Sequence, residues 1–581
     1  MKNKVILQII FLFVAILSFD QVLAQSESTK DSLDTQLVKV VKPYTPKVSD
    51  AFKIKQMPSL NHQENSIKKP VDYTIFSVPV ASVFRPSKSK SVALEQLKRE
   101  KKFSNIASLS AGNYTTVQGD LFLNTFISKG KNFGAYLSHY SSQGGIKDLF
   151  LEDNFSTNSA QIKYEVSSRD MNWNVRAGGH RFVSNWYGLF PDFDTDQQQS
   201  FDAKQTVSVI ETKAGLNIND GVIESANTKF YFLSNDFDSK EIRAQLDSKF
   251  NLELFNSPIE TNIGLDLLKG SFAHNINQEN SVNYGNLMAS ISPSYSLNLS
   301  DFNLNIGLKT IFFNDFERSK QKFYFYPKIS ASIAVVNSIL IVYGGIDGDL
   351  FQNTYRNLYT ENTFVSPTLD IKPTSTPYKL FLGAKGKLSN SLSYDINGAL
   401  LQQKDAVFFQ KNSHNTTLNL IAYANGNSFG LVYDNLQTIS VKGSLNFELN
   451  DKFNFSGTAT LNSYNLDTQD KAWNLPEIES NLKVRYHPTD RLFFGIQGYF
   501  TGSRYAFQKV ESSSIANVYL NKITSLEAFF DLNIDASYEI NNRWSATLKL
   551  NNILGQSYQR WMHFPVQGFQ ISAGAFYKFD L

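Results

Sequence analysis

The chain of 581 residues contains no cysteine. Disulfides, thiolate catalysis, thiolate metal sites and a lipidated N-terminal cysteine are therefore excluded. Charge is also scarce: Asp, Glu, Lys and Arg make up 19%, against the roughly 25% usual for soluble domains. The net charge of +3 gives no basic excess of the kind that marks a nucleic-acid partner. After the N-terminus no long apolar run occurs, so no membrane helix is expected. The seven histidines are nowhere paired at metal-ligand spacing, which argues against a zinc site. There is no Gly-x-Ser-x-Gly elbow and no phosphate-cradling glycine loop. His139 stands near Ser138, Ser141 and Ser142, but a histidine beside serines on a strand is common. The reading is of a non-enzyme without a cofactor. Asp192, Asp194 and Asp196 occupy positions 1, 3 and 5 of a calcium-type loop, yet position 6 is Gln197 and position 12 is Ala203. An EF-hand is excluded; a looser calcium site and a solvated acidic loop both remain.

Aromatic residues, by contrast, reach 14%, with 47 Phe, 27 Tyr and 5 Trp. At roughly 150 residues per domain the length suits about four soluble domains or a single large β-barrel. Many aromatics beside few charges suit strands with one apolar and one polar face. The N-terminus carries Lys2 and Lys4, then an apolar run from Val5 to Phe19, then small residues at Val22 and Ala24. This pattern reads as a secretory signal peptide over 1–24, and implies export.

From about Ser104 onward, period-two alternation recurs. Leu526, Ala528, Phe530, Leu532, Ile534, Ala536, Tyr538 and Ile540 oppose a face holding Glu527, Asp531, Asp535 and Glu539. Trp544, Ala546, Leu548 and Leu550 oppose Ser545, Thr547, Lys549 and Asn551. Successive side chains of a strand point to opposite faces, so each segment has a greasy and a wet side. The segments match tilted membrane-crossing strands in length. Aromatics cluster near segment ends, as in Phe323-Tyr324-Phe325-Tyr326 and Tyr499-Phe500, where rings meet the water–lipid boundary. Phe530, Leu532, Trp544, Leu548, Ile571 and Tyr577 are expected to face lipid. Asp531, Asp535, Lys549 and Lys578 are expected to face the lumen.

Turn residues then count the strands. Short polar turns are predicted at Lys129-Gly130-Lys131, Arg169-Asp170, Asn219-Asp220-Gly221, Asn256-Ser257-Pro258 and Ser300-Asp301. Five more fall at Val336-Asn337, Ser389-Asn390, Asn450-Asp451, Thr489-Asp490 and Asn541-Asn542. Asn, Asp and Gly tolerate the positive φ of tight hairpins. Ten periplasmic turns, with both termini on that side, give an all-β transmembrane antiparallel barrel of about 22 strands, range 20–24. Long outer loops are expected around 181–203, 346–376 and 403–436.

The C-terminal run Leu548-Lys549-Leu550-Asn551-Asn552-Ile553-Leu554-Gly555-Gln556-Ser557-Tyr558, then Pro565, Gly568 and Phe576-Tyr577-Lys578-Phe579, resembles the end of TonB-dependent receptor barrels. The resemblance implies a 22-stranded outer-membrane barrel. It implies that Phe576, Tyr577 and Phe579 form the signal read by the barrel-assembly machinery. The chain departs from that family at the other end. Only 80 residues, 25–104, precede the first strand, and they read as an extended, basic, periplasmic or luminal segment without a conventional plug.

Within that segment, Leu37-Val38-Lys39-Val40-Val41 resembles a TonB box. Such a run adds a strand to a partner's sheet edge; a bland extended linker is the alternative. Arg85, Lys88, Lys90, Lys98, Arg99, Lys101 and Lys102 form the densest basic stretch. It is either solvated at the periplasmic mouth or folded into the lumen against the acidic ladder Glu527, Asp531, Asp535 and Glu539. The whole reads as an outer-membrane barrel, 105–581, that passes an unidentified solute. The alternative is an accessory barrel of an envelope complex. Its expected partners are membrane lipid, the assembly machinery, and either a TonB-type energy transducer or a lipoprotein.

Overall fold

The computed structural model describes residues 103–189, 201–254, 257–276, 280–414, 421–511 and 519–580. The signal peptide, Leu37–Val41, the basic stretch Arg85–Lys102 and Asp192–Asp196 lie outside them. The first strands are β1 (Asn105–Gly112), β2 (Val117–Ser128), β3 (Lys131–Ser142), β4 (Phe155–Ser167), β5 (Met171–Asn185), β6 (Lys204–Ile218), β7 (Ile223–Asn235), β8 (Lys240–Leu254) and β9 (Ser257–Phe272). There follow β10 (Val282–Asn298), β11 (Phe302–Asp315), β12 (Lys320–Val336), β13 (Leu340–Phe351), β14 (Thr374–Lys387), β15 (Leu392–Lys411), β16 (Phe429–Leu449), β17 (Phe453–Leu466), β18 (Ile478–Thr489) and β19 (Leu492–Thr501). The last are β20 (Arg504–Glu511), β21 (Tyr519–Leu526), β22 (Phe529–Glu539), β23 (Trp544–Asn551), β24 (Gln559–Trp561), β25 (Phe564–Pro565) and β26 (Gln570–Phe579).

Each strand from β1 to β19 pairs antiparallel with the next, β19 continues to β22, β22 to β23 and β23 to β26, and β26 pairs back to β1. The result is a closed barrel of 22 strands. The hairpin β20–β21 and the small ribbon β24–β25 are excursions from the wall. The ten predicted short turns coincide with junctions between consecutive wall strands at one end, Asn256 itself lying outside the described residues. Gly130 and Asn450 take positive φ there, 76° and 52°, as tight turns require.

Polar–apolar alternation sorts the two faces. In register across five strands, Leu121, Leu137, Ala160, Gly179 and Ile210 form one outward row. The next outward row toward the long loops is Gly119, His139, Asn158, Arg181 and Ser208. The change from aliphatic to polar marks where hydrocarbon gives way to headgroups. At the short-turn end, Trp544 and Tyr577 pack with tilted rings, centroids 4.6 Å apart, and Tyr577 and Phe579 stack with centroids 5.6 Å apart. They place an aromatic girdle at the opposite boundary. Large apolar residues such as Ile162, Phe323, Phe325 and Leu382 remain exposed on the wall, where lipid is their solvent.

Three details differ from the sequence reading. The strands run further into the predicted long loops, because β15 and β16 reach 20 and 21 residues and rise above the membrane band. The apparent strand 526–540 is broken after Leu526, where the hairpin excursion rejoins the wall, so Glu527 is not on β22. Tyr499 registers with Asp531 on the inner face, and Tyr326 is buried, so neither belongs to the boundary girdle.

Ile162 sits near mid-wall on the lipid side of β4, next to inward Gln161. Ile162→Arg is expected to destabilise the barrel by about 2–4 kcal/mol. Gln161→Arg, with Gly178 opposite it, is expected to change stability far less. Urea unfolding in lipid vesicles measures both.

Candidate functional site: a loop-filled mouth and a polar chamber

The long loops carry what the wall does not explain: apolar residues that are buried. Trp561, Met562 and Phe564 come from the loop after β23, Tyr355, Leu358 and Tyr359 from the short helix Tyr355–Glu361 between β13 and β14. They share one core with Val207 and Val209 of β6, Tyr231 and Leu233 of β7, and Phe409 and Phe429 of β15 and β16. Inward residues from separate sectors of a ring meet only inside it. The loops therefore fold into the mouth and pack there. Phe364 stacks on Phe564 with centroids 3.8 Å apart, and Tyr187 meets Phe564 edge-on at 5.0 Å. Fully buried Trp186 packs against Phe237 and Tyr423, and its carbonyl accepts from Asn427 Nδ2 at 2.7 Å.

Two polar anchors tie this cap to the wall. Glu241, the second residue of β8, is fully buried. Its carboxylate accepts from Tyr231 Oη at 2.6 Å, Tyr284 Oη at 2.7 Å, and the backbone N–H groups of Tyr355 and Arg356 at 2.6 and 3.0 Å. A carboxylate at the first N–H groups of a helix satisfies donors that have no partner within it. Arg356 then reaches Glu211 of β6 at 2.9 Å, where Lys213 also lies at 3.0 Å. The second anchor is Lys411, the last residue of β15. Its buried ammonium donates to the carbonyls of Gly188 and Met562 at 2.7 and 3.3 Å and to His563 Nδ1 at 2.7 Å. One side chain thus joins two loops to the wall.

Burial pushes the Lys411 amine well below the usual lysine range. Burial, followed by the positive charges of Lys411 and Lys522, pushes His563 down to about 3. A base with a depressed folded pKa stays unprotonated while the released loop takes a proton. The docked cap therefore keeps its full His563 contribution above about 6.5 and loses it as pH falls from there toward 3, by up to about 1.4 kcal/mol per pH unit. Limited proteolysis of the loop at 559–565 is expected to accelerate in that window. His563→Gln is expected to flatten the profile.

Between the cap loops and the inner face of the wall lies a chamber of about 460 Å³. Its walls are the inner faces of β4–β5 and β22–β23, with residues of the loops after β3, β5, β13 and β23. Tyr187, Tyr359 and Tyr558 line it together with Asn, Gln and two carboxylates, Asp153 and Asp531. Tyr558 donates to Asp531 Oδ2 at 2.9 Å, and its hydroxyl is pushed up by burial and by that carboxylate.

Of the predicted ladder, Asp531, Asp535 and Glu539 share β22, and they already have neighbours on the wall. Asp535 registers with Lys549, and Glu539 lies 3.2 Å from Lys578. Phe576, Tyr577 and Phe579 are in the closing strand β26. His139 bonds Ser141 at 3.0 Å and Asn158 at 2.7 Å, but on the outward face, beside ladder N–H groups engaged in strand pairing. Apart from Asp531, which the sequence reading placed in the luminal ladder, the cap and chamber residues named here were not among its candidate sites. Their signal was apolar runs where loops are expected, such as Trp561-Met562-His563-Phe564.

No protein-family model matches the chain, and no curated protein matches it. Solved structures do. The FrpB iron transporter from Neisseria meningitidis aligns with a TM-score of 0.61 at 11% identity, covering 82% of each chain. The siderophore receptor PirA from Acinetobacter baumannii aligns at 0.60 and 12%, covering 82% of this chain and 81% of its own. The ferric-catecholate import receptor Fiu from E. coli aligns at 0.58 and 11%, covering 83% and 82%. The fold is that of the TonB-dependent receptors. Such low identity carries the receptor fold and not the ligand. These receptor neighbours are transport proteins and not enzymes. The cap, its two anchors and the chamber are features read from this chain's own residues.

Proposed function

We propose that the chain is an outer-membrane transporter, exported by its N-terminal signal and inserted by the barrel-assembly machinery, that passes a small polar solute through a mouth gated by its own loops. The observation that carries this is the pairing of an apolar core across the mouth with a polar chamber that adjoins it. A barrel built only as a scaffold needs no such chamber. The receptor fold supports coupling to a TonB-type transducer, for which Leu37–Val41 is the segment with strand-adding character. The test is growth on mixed small solutes by cells in which this gene is the sole importer, comparing the intact chain with one lacking residues 37–41. Loss of growth at equal barrel abundance supports energised passage. Normal growth of both that strain and a full deletion contradicts it. An envelope complex co-purifying with the inactive barrel then favours the accessory-subunit reading, with a lipoprotein as partner.

A further inference from the structure

The chamber is unbalanced in its hydrogen bonding. Several of its donors are committed. Asn552 Nδ2 donates to the carbonyls of Gln556 and Gln567, and Gln567 Nε2 to the Gly144 carbonyl and Ser142 Oγ. Tyr187 donates to the Pro565 carbonyl, and Tyr558 to Asp531. Its acceptors are not all used. Asp153 is 9% exposed; its Oδ1 accepts from the Gly144 N–H at 2.6 Å, while its Oδ2 has no partner among the described residues. Asp531 Oδ1 is likewise buried without a partner among them. Both carboxylates line the same cavity. A buried carboxylate oxygen left without a donor is costly, and a cation is the group that relieves it most.

We propose that the chamber binds a compact cationic solute, a primary amine, whose ammonium sits against Asp153 and Asp531. The size of the cavity suits a small molecule. Phe182, Tyr187, Tyr359 and Tyr558 supply aromatic walls, and ring faces attract an ammonium. Among the described residues Arg560 is the one basic residue lining the chamber, and it is exposed, so two carboxylates face one guanidinium there. The inference rests on the transporter reading for its meaning but not for its test, because binding and passage are measured separately.

The amine arises in two source classes, amino sugars and basic amino acids. Titration calorimetry of the full-length chain in detergent at pH 7 uses glucosamine and L-lysinamide as probes, with N-acetylglucosamine as the neutral control. Saturable binding of at least one amine is expected, with none of the control, and which amine binds identifies the source. Asp153→Asn and Asp531→Asn each are expected to weaken that binding tenfold or more. Asn keeps an oxygen to accept from Gly144 or Tyr558, so both variants are expected to retain the heat-modifiable barrel. Should one fail to fold, the other decides. No saturable binding of either amine, equal binding of the control, or binding indifferent to both substitutions overturns the proposal. Uptake without amine binding overturns it and leaves the transporter reading standing; amine binding without uptake does the reverse.

Discussion

Removing Gln570–Leu581 is expected to abolish the barrel, not to weaken it. These residues contain β26, which registers through eight residue pairs with β1 and eight with β23. Without it, two neighbouring strands present open edges to lipid. In water such an edge is tolerable, because solvent bonds to the free N–H and C=O groups. In hydrocarbon each unsatisfied group costs several kcal/mol, so a partly open barrel is not a usable state. Closure by β23 directly onto β1 would require the whole ring to change its register and diameter. The shortened chain is therefore expected in the soluble or degraded fraction, with no heat-modifiable band on gels of the outer membrane. Wild-type abundance in that membrane would contradict the closure seen here.

Glu241→Leu is expected to release the cap while leaving the wall intact. The substitution is close in volume, but it strands four donors at once: two fully buried tyrosine hydroxyls and the first two N–H groups of the helix Tyr355–Glu361. Each buried donor left without an acceptor costs on the order of 1–3 kcal/mol, and breaking a buried charged network typically costs about 3–5 kcal/mol. The wall loses no ladder bond, because Glu241 contributes only its side chain to the cap. Hydrogen exchange is expected to rise across 352–373 and stay unchanged in β8 and β9. Exchange rising equally through β8 would show that Glu241 stabilises the wall and not the loop.

Much of the wall was legible because its physics is local. Alternation sets each residue's face, as with Leu548 and Lys549, and turn residues such as Asn219-Asp220-Gly221 end each hairpin. The strand count followed from ten short turns in a barrel with both termini on one side. Glu527 was misplaced because alternation continues across the break after Leu526, and no local residue signals that one hairpin leaves the wall. The cap was not legible because it depends on contacts between distant segments. Glu241 looks like one more inward charge in the run Glu241-x-Arg243-x-Gln245 until the helix some 114 residues later docks on it. Asp153 and Asp531 are 378 residues apart in sequence, and only the ring brings them to one chamber.

The central claim is that the mouth is shut by the chain's own loops. Single-channel conductance in planar bilayers tests it most directly, using the chain without residues 25–102 so that the wall and cap alone are compared. The capped barrel is expected to show no steady large conductance, and Glu241→Leu combined with Lys411→Met is expected to open one. A large conductance in both would contradict the account.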